Sequence, residues 1–355
     1  MENVKVSIIT VTFNVVNTIE QTINSVLNQT YDNIEYIMVD GMSTDGTWEK
    51  ICKYKNRISV LIHEKDNGLY DAMNKGIAQA TGDIIGIVNG DDWYERDTLV
   101  TIVNNFQDDT DIIYARMNII GYDGAVQMIS LPDKIDDIWY RMIPHPTVFV
   151  RKCIYDKYGT FNLNYPIVAD YEMIFRFYLA GVKFKYIDKV LTNFRRGGLT
   201  TKRQIECVEE VKKVSLSYID KCPEPEKYIK LINRAYNSAL LKSIYAQEDI
   251  IVKEALESEI LNDNLCIFGA GKIGQKFVKK INRCGIKIVF IIDNDISKKD
   301  TYIDEIKVDT PNILEKWKGS ILIAAIDYSD ILDQLVKIGN KNMHIIDISK
   351  LYKRN

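Results

Sequence analysis

Residues 66–92 constrain this chain more than any other stretch. They read as a loop at Asp66, Asn67 and Gly68, a short helix, a buried apolar strand over 84–88, and then Asn89, Gly90, Asp91 and Asp92 at that strand's C-terminal end. Open α/β sheets place their ligands outside the carboxyl ends of their strands. An apolar strand that ends in carboxylates puts hard oxygen donors at the mouth of a cleft, which suits a divalent ion bridging phosphates.

The surrounding pattern is α/β. Strands are expected at 4–12, 34–39, 58–62 and 84–88, with helices at 18–27, 48–54 and 98–106. Alternation of this kind predicts a parallel, doubly wound sheet. A further strand is expected at 111–114, a hairpin over 117–128 turning at Asp123 and Gly124, and a helix at 170–179. Pro144 and Pro146 flank His145 and exclude a helix interior there. At 355 residues the chain is long for one core, so more than one domain is expected. The expected division is a first α/β domain over 1–204, a helical connector over 205–262, and a second small α/β domain over 263–355.

Charge and cysteine usage narrow the class. The formal net charge is -3, from 46 basic and 49 acidic side chains, with no global signal for nucleic acid. Between 176 and 203, however, eight Lys or Arg stand against the single Asp188. This run reads either as a solvated face with helix C-terminal charges or as a surface for anionic phosphates, a membrane among them. The six cysteines are scattered, as reduced thiols of a cytosolic protein are. The three histidines lack metal-ligand spacing, which argues against zinc. No apolar run reaches the ~20 residues of a spanning helix. The first residues lack the layout of a signal peptide. A cytoplasmic location is expected, with peripheral contact at the inner face of the membrane as its variant.

Five segments, 6–14, 40–46, 66–77, 89–92 and 169–172, occur in an order and separation that resembles the family 2 glycosyltransferases, inverting enzymes of the GT-A fold. The resemblance covers roughly residues 4–200. It implies a nucleotide-sugar donor, with uracil as the expected base, Mn²⁺ or Mg²⁺ as cofactor, and a saccharide or lipid-linked acceptor in surface polysaccharide biosynthesis. Thr12, Phe13 and Asn14 follow the first strand, where backbone groups can edge a base and Phe13 can wall it. Asp40 can accept a hydrogen bond from a base N–H or a ribose hydroxyl; the alternative is a turn-former or helix N-cap. Asn74 and Lys75 are donor-site candidates, Lys75 equally a solvent-facing helix residue. Gly68 suits an unusual backbone conformation, and Tyr70 and Asp71 are sugar-binding candidates. Asn89 stands where many relatives have Asp; with Gly90 it is expected at the donor, and Asp91 is expected to hold the metal. The resemblance makes Asp170 the catalytic base, with Ala169 in place of a first acid; the alternative is that Asp170 N-caps its helix. His145, Arg195 and Arg196 are candidates for the acceptor side or a lid, His145 equally a packed loop residue.

A second motif follows 265–268, where Gly269, Gly271 and Gly274 open a helix and Asp293 ends the next strand. This is the context of a dinucleotide fingerprint, although the remaining ~90 residues leave room for about five short strands, against six in a complete dinucleotide fold. The segment resembles small Rossmann-like domains of polysaccharide-assembly enzymes. Nucleotide binding and a docking role, including pairing with a second copy of the chain, are both open. Rival functions are a nucleotidylyltransferase, disfavoured by the lack of a Gly-rich basic loop after strand one, and an oxidoreductase centred on the second domain. A catalytically inactive, sugar-nucleotide- or NAD-binding regulatory protein is the third, raised by Asn89 and Ala169.

Overall fold

The computed structural model describes residues 4–107, 109–130, 134–261 and 264–352. The chain forms two compact units, Met1–Arg203 and Gln204–Asn355.

In the first unit, β1 (Val6–Thr12) is buried at every position, as its β-branched run requires of a central strand. The chain continues through α1 (Ile19–Leu27), β2 (Ile34–Asp40), α2 (Thr47–Cys52), β3 (Val60–His63), α3 (Leu69–Gln79) and β4 (Ile84–Asn89). These strands lie side by side as β3-β2-β1-β4, all parallel. Register pairs Thr12 with Asp40, Asp40 with His63, and Val11 with Asn89, so the polar residues that end the strands share one edge. At the opposite edge Glu35 accepts hydrogen bonds from Lys5 Nζ at 2.7 Å, Ser7 Oγ at 2.6 Å and the Thr81 N–H at 2.7 Å. Burial pushes this carboxyl up, but those hydrogen bonds outweigh it and hold its pKa at about 2.

The expected all-parallel sheet ends at β4. The chain then adds β5 (Trp93–Tyr94), α4 (Thr98–Asn105), β6 (Ile112–Ile120), β7 (Val126–Ile129), β8 (Phe149–Arg151), α5 (Lys152–Tyr158), α6 (Ala169–Leu179), β9 (Phe184–Arg195) and α7 (Leu199–Lys202). β8 pairs antiparallel with both β4 and β6, and β5 antiparallel with β9, which makes the sheet mixed. The pairing of β6 with β9 is parallel again, so the antiparallel contacts are confined to β8, to β5 against β9 and to the β6–β7 hairpin. The expected hairpin is present as β6 and β7, with Gly124 at φ 80° in its turn.

The second unit begins with α8 (Gln204–Ser217), α9 (Pro225–Ala246) and α10 (Asp249–Glu259). Pro225 starts α9 without cost, since an N–H in the first turn has no helical partner. Then come β10 (Leu265–Phe268), α11 (Lys272–Arg283), β11 (Ile288–Ile292), β12 (Tyr302–Ile303), β13 (Ile306–Asp309), β14 (Gly319–Ile323), α12 (Tyr328–Ile338) and β15 (Met343–Ile346). The sheet order is β12-β13-β11-β10-β14-β15, parallel except for the β12–β13 pair. It has six strands where about five were expected, because the short β12–β13 pair carries almost no apolar run to announce it. Leu240, Leu241 and Ile244 of α9 and Val252 and Leu256 of α10 share one core with Leu265, Ile267, Phe277 and Ile281.

Candidate active site

The loops after β1 and β2 are laced together before any ligand is considered. Asp40 is fully buried. Its Oδ1 accepts from Thr12 Oγ1 at 2.8 Å and Ser43 Oγ at 2.6 Å, and its Oδ2 pairs with His63 Nδ1 at 2.7 Å and accepts from the Ser43 N–H at 3.0 Å. The His63 ring lies flat on Trp48, with centroids 4.1 Å apart. Asn14, at φ 54°, donates its N–H to Ser43 Oγ and accepts the Thr44 N–H at Oδ1, each at 2.9 Å. Asn tolerates this left-handed conformation better than most residues. Phe13 is left 62% exposed on the edge these loops form, where a base can stack.

The turn after β4 is held from behind. Thr18 Oγ1 donates to the Gly90 carbonyl at 3.0 Å and Thr22 Oγ1 to the Asp92 carbonyl at 2.6 Å. A Cβ on Gly90 would stand 2.7 Å from the Thr12 methyl, so only glycine lets the turn lie against β1. Asp92 is fully buried and accepts the Arg195 N–H at 2.8 Å and Asn89 Nδ2 at 3.3 Å. Burial, and then the Asp91 charge, push its carboxyl well up. Burial also raises Asp91, opposed by the charges of Arg195 and Lys202. Asn89 Oδ1 is buried and has no hydrogen-bond partner among the described residues.

A cavity of about 100 Å³ opens beside this turn, lined by Asn89, Asp91, His145, Asp170, Tyr70 and Thr200 among others. It has room for about three waters, too little for a whole nucleotide-sugar. Asp170 sits one residue inside α6, whose N-cap is Val168. Its Oδ1 accepts from Tyr70 at 2.8 Å and from the Tyr171 N–H at 2.9 Å. His145 lies in a short 3-10 turn with its ring edge-on to Phe161 at 5.5 Å. Burial lowers its pKa, with Asp170 opposing, so a neutral imidazole faces the cavity.

Other expected residues have different neighbours. Asn74 clamps the backbone of Phe161, donating to its carbonyl at 2.9 Å and accepting its N–H at 3.0 Å. Lys75 pairs with Glu64 at 2.8 Å. Arg195, expected as a lid candidate, is fastened to the acidic turn: Nε donates to the Asp91 carbonyl, Nη2 to Gln21, and the guanidinium covers Trp93 at 5.0 Å. Arg196 remains exposed. Three members of the basic run have partners within the fold. Arg176 is engaged by Glu172 and the Thr160 carbonyl, Lys185 by the Asn105 carbonyl and Lys189 by Thr101. Two partners were missed in the sequence. His63 was signalled by its place at the end of β3, in register with Asp40, whereas nothing local announced the bond from Tyr70 to Asp170.

For a divalent ion, the cavity offers the Asp91 carboxylate with Asn89 beside it; the Asn89 carbonyl oxygen is buried, with no hydrogen-bond partner among the described residues. Among the described residues no cluster of three or more His, Cys, Asp or Glu forms a cage of its own. This donor set fits Mg²⁺ or Mn²⁺ when substrate phosphates complete the shell, the usual way such ions meet nucleotides.

In the second unit Gly269, Gly271, Gly274 and Asp293 do come together, around a cavity of about 670 Å³ that also touches Lys298, Asn294 and Gln334. Gly269 has φ 121°, and a Cβ on Gly274 would lie 1.7 Å from the Gly269 carbonyl oxygen. The Asp293 carboxylate accepts the Ala270 N–H at 2.7 Å and the Asp295 N–H at 2.8 Å, and Lys298 at 3.1 Å.

Residues 7–165 match the family model "Glycosyl transferase family 2", and residues 261–346 match "C2185-like, N-terminal". A "PGL/p-HBAD biosynthesis glycosyltransferase" of Mycobacterium bovis is 30% identical over 206 residues, 55% of this chain and 78% of the relative. TarS of S. aureus shares the fold at TM-score 0.53 and 17% identity over 71% of this chain; the alignment spans 47% of that longer chain. PcManGT from Pyrobaculum calidifontis, a mannosyltransferase in complex with GDP-Man and Mn²⁺, shares it at TM-score 0.52 and 18% identity, over 70% of this chain and 77% of its own. The mixed sheet of the first unit is the GT-A arrangement of these enzymes, and with a mycobacterial relative matched over most of its length the chain belongs to glycosyltransferase family 2.

Proposed function

We propose that this glycosyltransferase moves a sugar, with inversion, from a nucleoside-diphosphate donor to a hydroxyl of a saccharide or lipid-linked acceptor in surface polysaccharide biosynthesis. The observation that carries the reading is that Asp91 and Asp170, from distant parts of the chain, line one cavity at the carboxyl ends of the strands. Asp170 takes the acceptor's proton, the acceptor oxygen attacks the anomeric carbon, and the bond to the diphosphate breaks on the opposite face. Asp91, with Asn89 beside it, would hold a divalent ion, which would supply positive charge for the leaving diphosphate. Phe13 is the wall for the base. Asp40 acts through the loop it organises, since both its oxygens already have partners. His145 lies on the acceptor side.

A UDP-sugar is the donor this reading favours. TarS 1-349 is known in complex with UDP-GlcNAc, while PcManGT is bound to GDP-Man, so the base must be tested. Calorimetric titration of UDP, GDP and dTDP, each with and without Mn²⁺, decides it. Metal-dependent binding of UDP is expected. Binding of GDP or dTDP alone would transfer the assignment to that nucleotide, and failure of all three would remove the donor site from this unit. Among the described residues no helix is long and apolar enough to cross a membrane.

A further inference from the structure

We propose that Tyr70 is a positioning residue for the base, sharing one hydroxyl proton between Asp170 and the backbone carbonyl of Ile167. The proposal rests on the reading of Asp170 as the base.

Tyr70 stands in the first turn of α3 and is 5% exposed. Its ring packs on Phe161 with centroids 5.2 Å apart, and the Phe161 backbone is the segment that Asn74 clamps. The phenol is therefore held by packing, independently of what its oxygen meets. That oxygen lies 2.8 Å from the Ile167 carbonyl oxygen and 2.8 Å from Asp170 Oδ1. A phenol has one hydrogen, and both of these neighbours are acceptors. Donation to an ionised carboxylate is the stronger of the two bonds. While Asp170 is charged, the proton goes to Oδ1, which also takes the Tyr171 N–H at 2.9 Å. Two donors then fix one oxygen, and Oδ2, which has no hydrogen bond among the described residues, is left for the acceptor hydroxyl.

The consequence appears as the reaction proceeds. The acceptor O–H breaks and its proton moves to Oδ2. The acceptor oxygen bonds to the anomeric carbon, and the carbon–oxygen bond to the diphosphate breaks, its electron pair leaving with the nucleoside diphosphate. Oδ1 has then lost its charge, and the Ile167 carbonyl becomes the competitive acceptor for the Tyr70 proton. Tyr70 keeps a partner in both protonation states of the base, so its buried hydroxyl is never stranded as the carboxylate is neutralised.

Tyr70→Phe keeps the ring and its packing and removes only the hydroxyl. The assay follows release of nucleoside diphosphate from UDP-, GDP- and dTDP-hexoses and N-acetylhexosamines, with water or methyl glycosides as acceptors. The expected result is a kcat about 10- to 100-fold lower, the scale of one hydrogen bond to a charged group, with donor KM and melting temperature unchanged. In an Asp170→Asn background, adding Tyr70→Phe slows the residual rate no further, because Tyr70 acts through the carboxylate. A purely structural role would instead lower the melting temperature and slow both backgrounds alike. Wild-type kcat in Tyr70→Phe overturns the proposal while an inactive Asp170→Asn leaves the base reading standing. Full turnover in Asp170→Asn, or no turnover of any donor by the unaltered enzyme, overturns the base reading and the proposal with it.

Discussion

The two units each end their parallel strands in a cavity, and the two cavities differ in what lines them. The first is small, about 100 Å³, and is lined by Asp91, Asp170, His145 and Asn89 among others. The second is several times larger, about 670 Å³, and is built around glycines. Its one strand-end acid, Asp293, already accepts two backbone N–H groups and Lys298. Volume and chemistry thus point to different places. A cavity suits chemistry when its polar groups are held in place with some valence left over, the condition that Asp170 meets with Oδ1 bonded and Oδ2 without a hydrogen bond among the described residues. It becomes a binding shape when the backbone itself forms the wall, as at Gly269 to Gly274.

Substitution tests this division. Asp170→Asn should lower turnover about 10³-fold, the ordinary scale of a general base, while calorimetry shows nucleotide binding intact. Retained turnover would move the chemistry elsewhere. Gly274→Ala places a methyl group against the Gly269 carbonyl and should cost about 3 kcal/mol in thermal unfolding of the second unit. Nucleotide binding that is metal-dependent should survive it; loss of that binding would assign the nucleotide to the larger cavity. Asp91→Asn should abolish the Mn²⁺ dependence of nucleotide binding and weaken it at least about tenfold, which titration with and without the ion measures directly.

The smallest effect concerns the scaffold under the first cavity. Glu35 has its pKa lowered to about 2, so its stabilisation is complete above the unfolded value of about 4.5 and disappears as pH falls through about 2. With its partner Lys5 on the surface, screening limits this to about 1–2 kcal/mol. Acid titration of unfolding should therefore show a gentler loss of stability between about pH 4.5 and 2 in Glu35→Gln than in the unaltered protein. Equal slopes would mean that Glu35 is not what ties β1 to β2.

Much of the first cavity was legible in the sequence because its parts sit at strand ends. A β-branched run such as 6–12 must be a central strand, and whatever follows it must lie at the sheet edge. Thr12, Asp40, Asn89 and Asp91 could be placed on one edge for that reason. Their partners could not. Asp40 was expected to face a ligand and instead lies wholly buried against Thr12, Ser43 and His63. Arg195 was a candidate for the acceptor side or a lid, and its bonds to the acidic turn were not foreseen. Long polar side chains choose among acceptors by three-dimensional proximity, and a sequence pattern carries no such distances. The switch from a parallel to a mixed sheet was hidden for a related reason: β8 is only three residues long, too short for alternation to show.

The sequence by itself determined where the parallel strands β1 to β4 run and end, and that carboxylates crowd the turn after β4, since burial and turn chemistry act on neighbours along the chain. Only the tertiary structure decided which of those groups stay available. Tyr70 meets Asp170 across a separation of 100 residues, while Asn89 donates its amide nitrogen to Asp92 and its Oδ1 has no partner among the described residues. Both outcomes follow from packing, which assigns each buried polar atom one set of neighbours and leaves the remaining valences for a ligand.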